Sequence, residues 1–188
     1  MMFRYRFTAF ILLLAIAPLG CSVNKKEKML VRKLDAITLT ANDLPTMTMG
    51  NFPANIPFGG LAKQPSVIDG LLQVWNGTQP EEDLTVRYWL FQSVDAAGKA
   101  ADQWRRMIAS LVIVINGKIE PVYQPEPNAE DVIGDATWRP TNQSDIWFVK
   151  NNVLVYITTG GTTVNQLTLT RSVARKIETK INAALNQQ

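Results

Sequence analysis

Apolar positions along this 188-residue chain fall into three regimes. The first is a solid block, Phe7 to Ala17, broken only by Thr8. The second, from Asn24 to Gln64, is mixed and has no sustained period. Within it Met29, Leu30 and Leu34 have partial helical spacing, so Asn24–Asp35 fits either a tether or a short helix. Ile37–Thr40 reads as a short strand and Asn42–Pro45 as a turn. Prolines and glycines punctuate residues 50–65. Met47, Met49, Phe52, Ile56, Phe58 and Leu61 predict a segment wrapped on the domain, since leaving them in water forfeits burial energy.

The third regime is periodic. Val67–Trp75 predicts a strand, residues 76–83 (NGTQPEED) a turn region, and Leu84–Phe91 a second strand. Trp89 and Phe91 share one face of that strand and Tyr88 and Leu90 the other, which places it centrally with cover on both sides. Ser93 fits an N-cap for a helix to about Ser110, with Ala97, Ala101, Trp104, Ile108 and Leu111 on one face. Leu111–Ile115 and Lys118–Tyr123 flank Asn116-Gly117, a strong hairpin signal. Ile133–Arg139 predicts a strand. Asp145–Lys150 and Val153–Thr158 form a second hairpin about Asn151-Asn152, because asparagine tolerates positive φ. A last helix is expected from near Thr168 to Leu185, burying Val173, Ile177, Ile181, Ala184 and Leu185. The predicted fold class is therefore α+β, an antiparallel sheet with two main helices packed on it.

Two resemblances add to this pattern. Arg4 and Arg6 precede the apolar block, which is short for a membrane span and ends in Pro18-Leu19-Gly20-Cys21. This start resembles bacterial lipoproteins, whose lipobox closes on a small residue and the lipidated cysteine. Gly20-Cys21 fits it, while Pro18 and Leu19 depart from the usual leucine and small residue. The resemblance implies a signal peptide over 1–20, lipidation at Cys21 by acyl chains such as palmitate, a basic tether over 21–36, and one α+β domain over 37–188. It also implies a place in the cell envelope. Ser22 after the cysteine resembles the outer-membrane sorting pattern of diderm lipoproteins, which would put the protein on the periplasmic side. Separately, Gly134-Asp135 ahead of the Asp145–Thr158 hairpin and a C-terminal helix is similar to Mog1/PsbP-like domains. That likeness offers an α/β/α sandwich as the alternative fold.

Composition then narrows the chemistry. The chain has no histidine and one cysteine. Ser-His-Asp and Cys-His catalysis, His-ligated metals, intrachain disulfides and thiolate clusters are thereby excluded. No nucleophile elbow, Ser-x-x-Lys dyad, phosphate-binding glycine loop or EF-hand spacing is present. No cofactor and no metal site is expected. Of the 19 basic side chains, two lie in 1–20 and five in 21–35; the remaining 12 face 14 of the 16 acidic ones. The excess positive charge thus belongs to the signal and tether, beside headgroups that the tether lysines suit.

Three groups of residues remain as candidates. Carboxylates cluster at Glu81-Glu82-Asp83 and at Glu120, Glu126, Glu130, Asp131 and Asp135; a solvated acidic loop is the favoured reading, with Asp135 bonding turn amides. Of the five tryptophans, Trp89 and Trp104 are expected in the core. Trp138 and Trp147, flanked by polar residues, are the candidates for surface binding of a partner protein or glycan. Arg171, Arg175, Lys176 and Lys180 make a basic face on the last helix, expected to be solvated. The expected function is a membrane-anchored, exported lipoprotein acting as a non-catalytic binding or accessory module, with no nucleic-acid partner. A histidine-free carboxylate hydrolase of the envelope and a small-ligand carrier are the alternatives.

Overall fold

The computed structural model describes residues 29–50, 66–109, 112–115, 118–121, 123–126, 128–140, 144–160 and 164–187. Cys21, the signal-like block, the Phe52–Leu61 run and the Asn116-Gly117 turn lie outside them. The strands are β1 (Thr48–Met49), β2 (Val67–Asn76), β3 (Leu84–Phe91), β4 (Val112–Ile115), β5 (Lys118–Pro121), β6 (Tyr123–Pro125), β7 (Ala136–Pro140), β8 (Ile146–Lys150) and β9 (Val153–Thr159). The helices are α1 (Val94–Ala109) and α2 (Val164–Asn186). Seven strands make one antiparallel sheet in the order β1-β2-β3-β9-β8-β7-β6, and β4 and β5 pair as a separate ribbon. This is the predicted α+β architecture.

β3 and β9 lie at the centre because neither has a polar face to spare. Leu84, Val86, Tyr88 and Leu90 on one side of β3 join Val153, Val155 and Ile157 of β9 and Val173, Ala174, Ile177 and Ile181 of α2. Trp89 and Phe91 on the other side join Leu154, Trp147, Val149 and the small residues Ala97, Ala100 and Ala101 of α1. The helices therefore cover opposite faces, giving three layers. The Ser93 hydroxyl accepts the Ala96 N–H at 3.1 Å, the cap expected at the start of α1.

The N-terminal part departs most from expectation. Ile37–Thr40 is not a strand: a 3-10 turn occupies Leu34–Ala36, and the short strand forms later at Thr48–Met49. Ile37 and Leu39 are both buried, as alternation requires. Their backbone partners, however, include a side chain rather than a ladder. The Gln73 amide donates to the Leu39 carbonyl at 2.9 Å and accepts its N–H at 3.1 Å. It also accepts the Tyr88 hydroxyl at 3.0 Å. Val31 and Leu34, within the basic stretch, belong to the same core as α2, so the packed body reaches back into that stretch.

A second buried amide holds the entry of this segment. Asn152, 0% exposed in the β8–β9 turn, accepts the Val31 N–H at 2.9 Å and donates to the carbonyls of Val31 and Phe91, both at 2.9 Å. Its neighbour Asn151, at φ 55°, donates to the Met29 carbonyl at 3.1 Å. Asparagine carries the left-handed turn, as the sequence suggested. Gly134, at φ 72°, faces the Val149 carbonyl, where a Cβ would collide.

Two further differences are local. Tyr123 leaves the first hairpin and pairs instead with Pro140 of β7. α2 begins at Val164, earlier than expected, because its polar first turns are anchored: Gln166 is buried and donates to the Glu81 carbonyl at 2.8 Å. Asn152→Ala would leave three buried backbone groups unpaired and should cost about 3 kcal/mol, read as a lower urea midpoint with an unchanged slope. An unchanged midpoint would show that the N-terminal segment is not held there.

Candidate functional site

Strand register brings the predicted aromatic residues together. Trp138 on β7 pairs with Trp147 on β8, and Trp147 with Tyr156 on β9. All three side chains face α1. Trp147 stacks on Tyr156 at 3.9 Å and 13°, and on Trp89 at 5.6 Å and 9°. Trp104 of α1 meets it from above at 4.8 Å and 44°. The Arg87 guanidinium lies 5.5 Å from the Tyr156 ring centre, extending the row across the sheet.

This geometry corrects the expectation for Trp147. It is 3% exposed and forms the middle of the stack, so it is not a surface anchor. The polar residues beside it in sequence mark the ends of a short strand, while its own position points under α1. Trp138 is half-buried against the same cluster. Between the two, with Ala101, Trp104, Arg105 and Leu154, lies a crevice of about 10 Å³, room for a water at most. A sugar ring has no open platform on Trp147. Trp89 is core, as expected, and Trp104 is half-buried against it.

At the rim of the stack the Tyr156 hydroxyl donates to Asp145 at 2.8 Å. Burial pushes the Asp145 carboxyl above the usual range, against the lowering pull of Tyr156, the Thr159 backbone and the Arg87 charge. Asp43 behaves oppositely. Burial works against its charge, but the Lys180 ammonium at 2.9 Å and the Thr40 N–H and hydroxyl outweigh it and hold the carboxyl low.

The acidic stretch is the solvated loop expected at Glu130 and Asp135, which are exposed, but not at Glu126. Glu126, its side chain 1% exposed, sits between Arg171 at 2.9 Å and Arg139 at 3.3 Å. Asp131 reaches the same Arg171 at 3.1 Å. Arg175 donates to the Glu130 carbonyl at 2.7 Å and pairs with Glu178 at 3.0 Å. Asp135 accepts the Asn151 N–H at 2.7 Å and the Lys150 ammonium at 3.2 Å, the turn role predicted for it. The Glu120 side chain lies outside the described residues. The basic face of α2 is thus spent on the loops beside it: Lys176 donates to the Asp43 carbonyl and Lys180 pairs with its carboxylate. Arg175 and Lys176 are nevertheless exposed, so the face is solvated as expected at those two and half-buried at Arg171 and Lys180.

Two open clefts are formed among the described residues. One of about 340 Å³ runs between Asp43–Met47 and the first half of α2, and contains Glu82. Its two carboxylates are engaged, Asp43 by Lys180 and Thr40, and Glu82 by the N–H groups of Thr78 and Gln79 at 3.0 and 3.3 Å. Asp43, held ionised, is no proton donor at neutral pH, and a general acid needs the reverse. The other cleft, about 420 Å³, lies among Met29, Val94, Asp135, Lys150, Asn151, Asn182 and Leu185. Among the described residues no three acidic side chains converge as metal ligands, and no helix is long and apolar enough to cross a membrane.

No protein-family model and no curated protein matches the chain. Among solved structures it is similar to the extracellular domain of PknH from Mycobacterium tuberculosis, with TM-score 0.39 and 16% identity. That match covers 82% of this chain and 93% of the other.

Sequence spacing could not have found the Glu126–Arg171 contact, which joins residues 45 apart. Asp145 and Asp43 give opposite pH signatures. Asp145 binds its proton more tightly folded than unfolded, so its contribution falls as pH rises above the unfolded value of about 4. Asp145→Asn should therefore gain stability relative to the native chain between about pH 4 and neutrality. Asp43 contributes above its unfolded range and loses that contribution as pH falls through its depressed folded value. Asp43→Asn should be destabilised at neutral pH, with the deficit fading in acid. Urea midpoints across pH check both, and parallel profiles for the two variants would contradict the assignment.

Proposed function

We propose that this chain is an exported, membrane-anchored lipoprotein whose folded domain is a non-catalytic binding or accessory module of the cell envelope. The observation that carries the anchor is the sequence itself: a basic start, an apolar block of h-region length, and Gly20-Cys21 at its end. Cys21, lipidated, holds the chain at the membrane, on the periplasmic side of the outer membrane in a diderm source. Acyl chains contribute about 0.8 kcal/mol per buried methylene, so more than one makes a durable anchor.

The module reading is supported by where the ionisable groups are used. Glu126, Asp131, Asp135 and Asp43 each neutralise a cation or turn amide that fastens one element to another. An envelope protein suits this surface better than a glycan, because the sheet tryptophans that would stack on sugars are packed under α1. A carried ligand finds no room beside Trp147, where the crevice is about 10 Å³.

Intact mass of the protein purified from membranes should show a chain that begins at Cys21 and carries acyl groups. Cys21→Ser should move the protein out of the membrane fraction. An unmodified Cys21, or residues 1–20 still attached, would sink the lipoprotein reading. Crosslinking in intact cells should capture an envelope protein beside the domain.

A further inference from the structure

The point at which the N-terminal segment joins the fold fixes one pole of the molecule. Met29 is tied to Asn151 and Val31 to Asn152, both in the β8–β9 turn. Register brings other chain ends to that pole. Val67, where β2 starts, pairs with Phe91, where β3 ends, and Phe91 bonds Asn152. Val94 at the start of α1 and Asn182 and Leu185 near the end of α2 line the cleft beside Met29. The opposite pole carries the 3-10 turn Pro80–Glu82, which touches Gly160 after β9 and accepts Gln166 from the start of α2.

From this we infer that the membrane lies against the Asn151 pole and that the Glu81–Asp83 pole faces away from it, toward the partners of the domain. The inference rests on the lipoprotein reading, because it needs an anchor at Cys21. Chain lengths decide the orientation. Seven residues, Ser22–Lys28, separate Cys21 from Met29. Eight chain steps reach at most about 28 Å. The ten-residue β2 alone, nine steps, is about 30 Å long. Bringing the Glu81 pole to the bilayer would therefore need more than the fully stretched leash. The Asn151 pole, where Met29 enters, lies within that reach.

Charge supports the same orientation through the leash and the far pole. The leash sequence holds Lys25, Lys26 and Lys28, which anionic headgroups attract. At the near pole the Asp135 carboxylate is paired with the Lys150 ammonium at 3.2 Å. Met29 and Ile68, both largely exposed, also lie there. The far pole presents Glu81, Glu82 and Asp83, an acidic run that headgroups would push away. The membrane-distal side also holds the mouth of the Asp43–Lys176 cleft where it meets Glu82.

The test uses the full chain, expressed with its leader and purified from membranes into vesicles containing phosphatidylglycerol and a headgroup-labelled quencher lipid. With Cys21 lipidated, an introduced cysteine is the single free thiol for a fluorophore. Ile68→Cys and Asp95→Cys mark the near pole, and Thr78→Cys and Glu81→Cys the far one; all four positions are exposed. Strong quenching is expected at both near sites and its loss at both far sites. Equal quenching at the two poles, or the reverse order, overturns the orientation. Intact mass of the same samples separates the two readings. Absence of acyl groups on Cys21 defeats the anchor, whereas an acylated Cys21 with equal or reversed quenching defeats the orientation alone.

Discussion

The central strands β3 and β9 are apolar on both faces, and most of the architecture answers that one constraint. A two-layer protein would leave either Trp89, Phe91 and Leu154 or Tyr88, Leu90 and Val155 against water. Two helices are needed, and they differ because the faces differ. The α1 side is filled by large rings, so α1 approaches with Ala97, Ala100 and Ala101. The α2 side mixes Trp75, Tyr88 and Phe148 with aliphatic chains, and α2 meets it with the larger Val173, Ile177 and Ile181. The segment Val31–Met47 fills what α2 leaves open, with Val31, Leu34, Ile37, Leu39 and Leu44.

That segment has little regular structure of its own, so its backbone groups need partners from elsewhere. Asn152 and Gln73 supply several. Each is a side-chain amide buried among apolar residues, a costly position unless both its ends are used, and both are used on the main chain of the segment. Ion pairs act at the edges of the same arrangement. Asp43 on the segment meets Lys180 of α2, and Glu126 below β7 meets Arg171, so α2 is fastened to loops on both flanks.

The fold is most legible in the sequence where periodicity is a direct image of burial. Leu84–Phe91, the Asn151-Asn152 hairpin and α1 follow from alternation, turn chemistry and a cap, all local properties. Legibility ends where contacts are long-range. Ile37–Thr40 has a strand's alternation, yet its neighbour is an amide 34 residues away. The first turns of α2 look too polar for a buried helix because Gln166 and Thr170 satisfy their polar atoms against Glu81 and the helix backbone. Trp147 looks exposed from its neighbours in sequence, but its neighbours across the sheet, Trp138 and Tyr156, decide its burial. Glu126 likewise looks solvated because Arg139 and Arg171 are invisible to local charge counting.

Asn152 has a mechanical consequence. A chain pulled from its N-terminal side transmits force first to Met29 and Val31, and these are attached to the body through the Asn151 and Asn152 side chains at one strand turn. Such bonds share a load poorly compared with a long ladder strained along its length, since they open one after another. The hydrophobic residues behind them, Leu34 and Ile37, would be drawn out next and expose the α2 side of the sheet. Tension from the N-terminal side would therefore find its weakest seam at the β8–β9 turn.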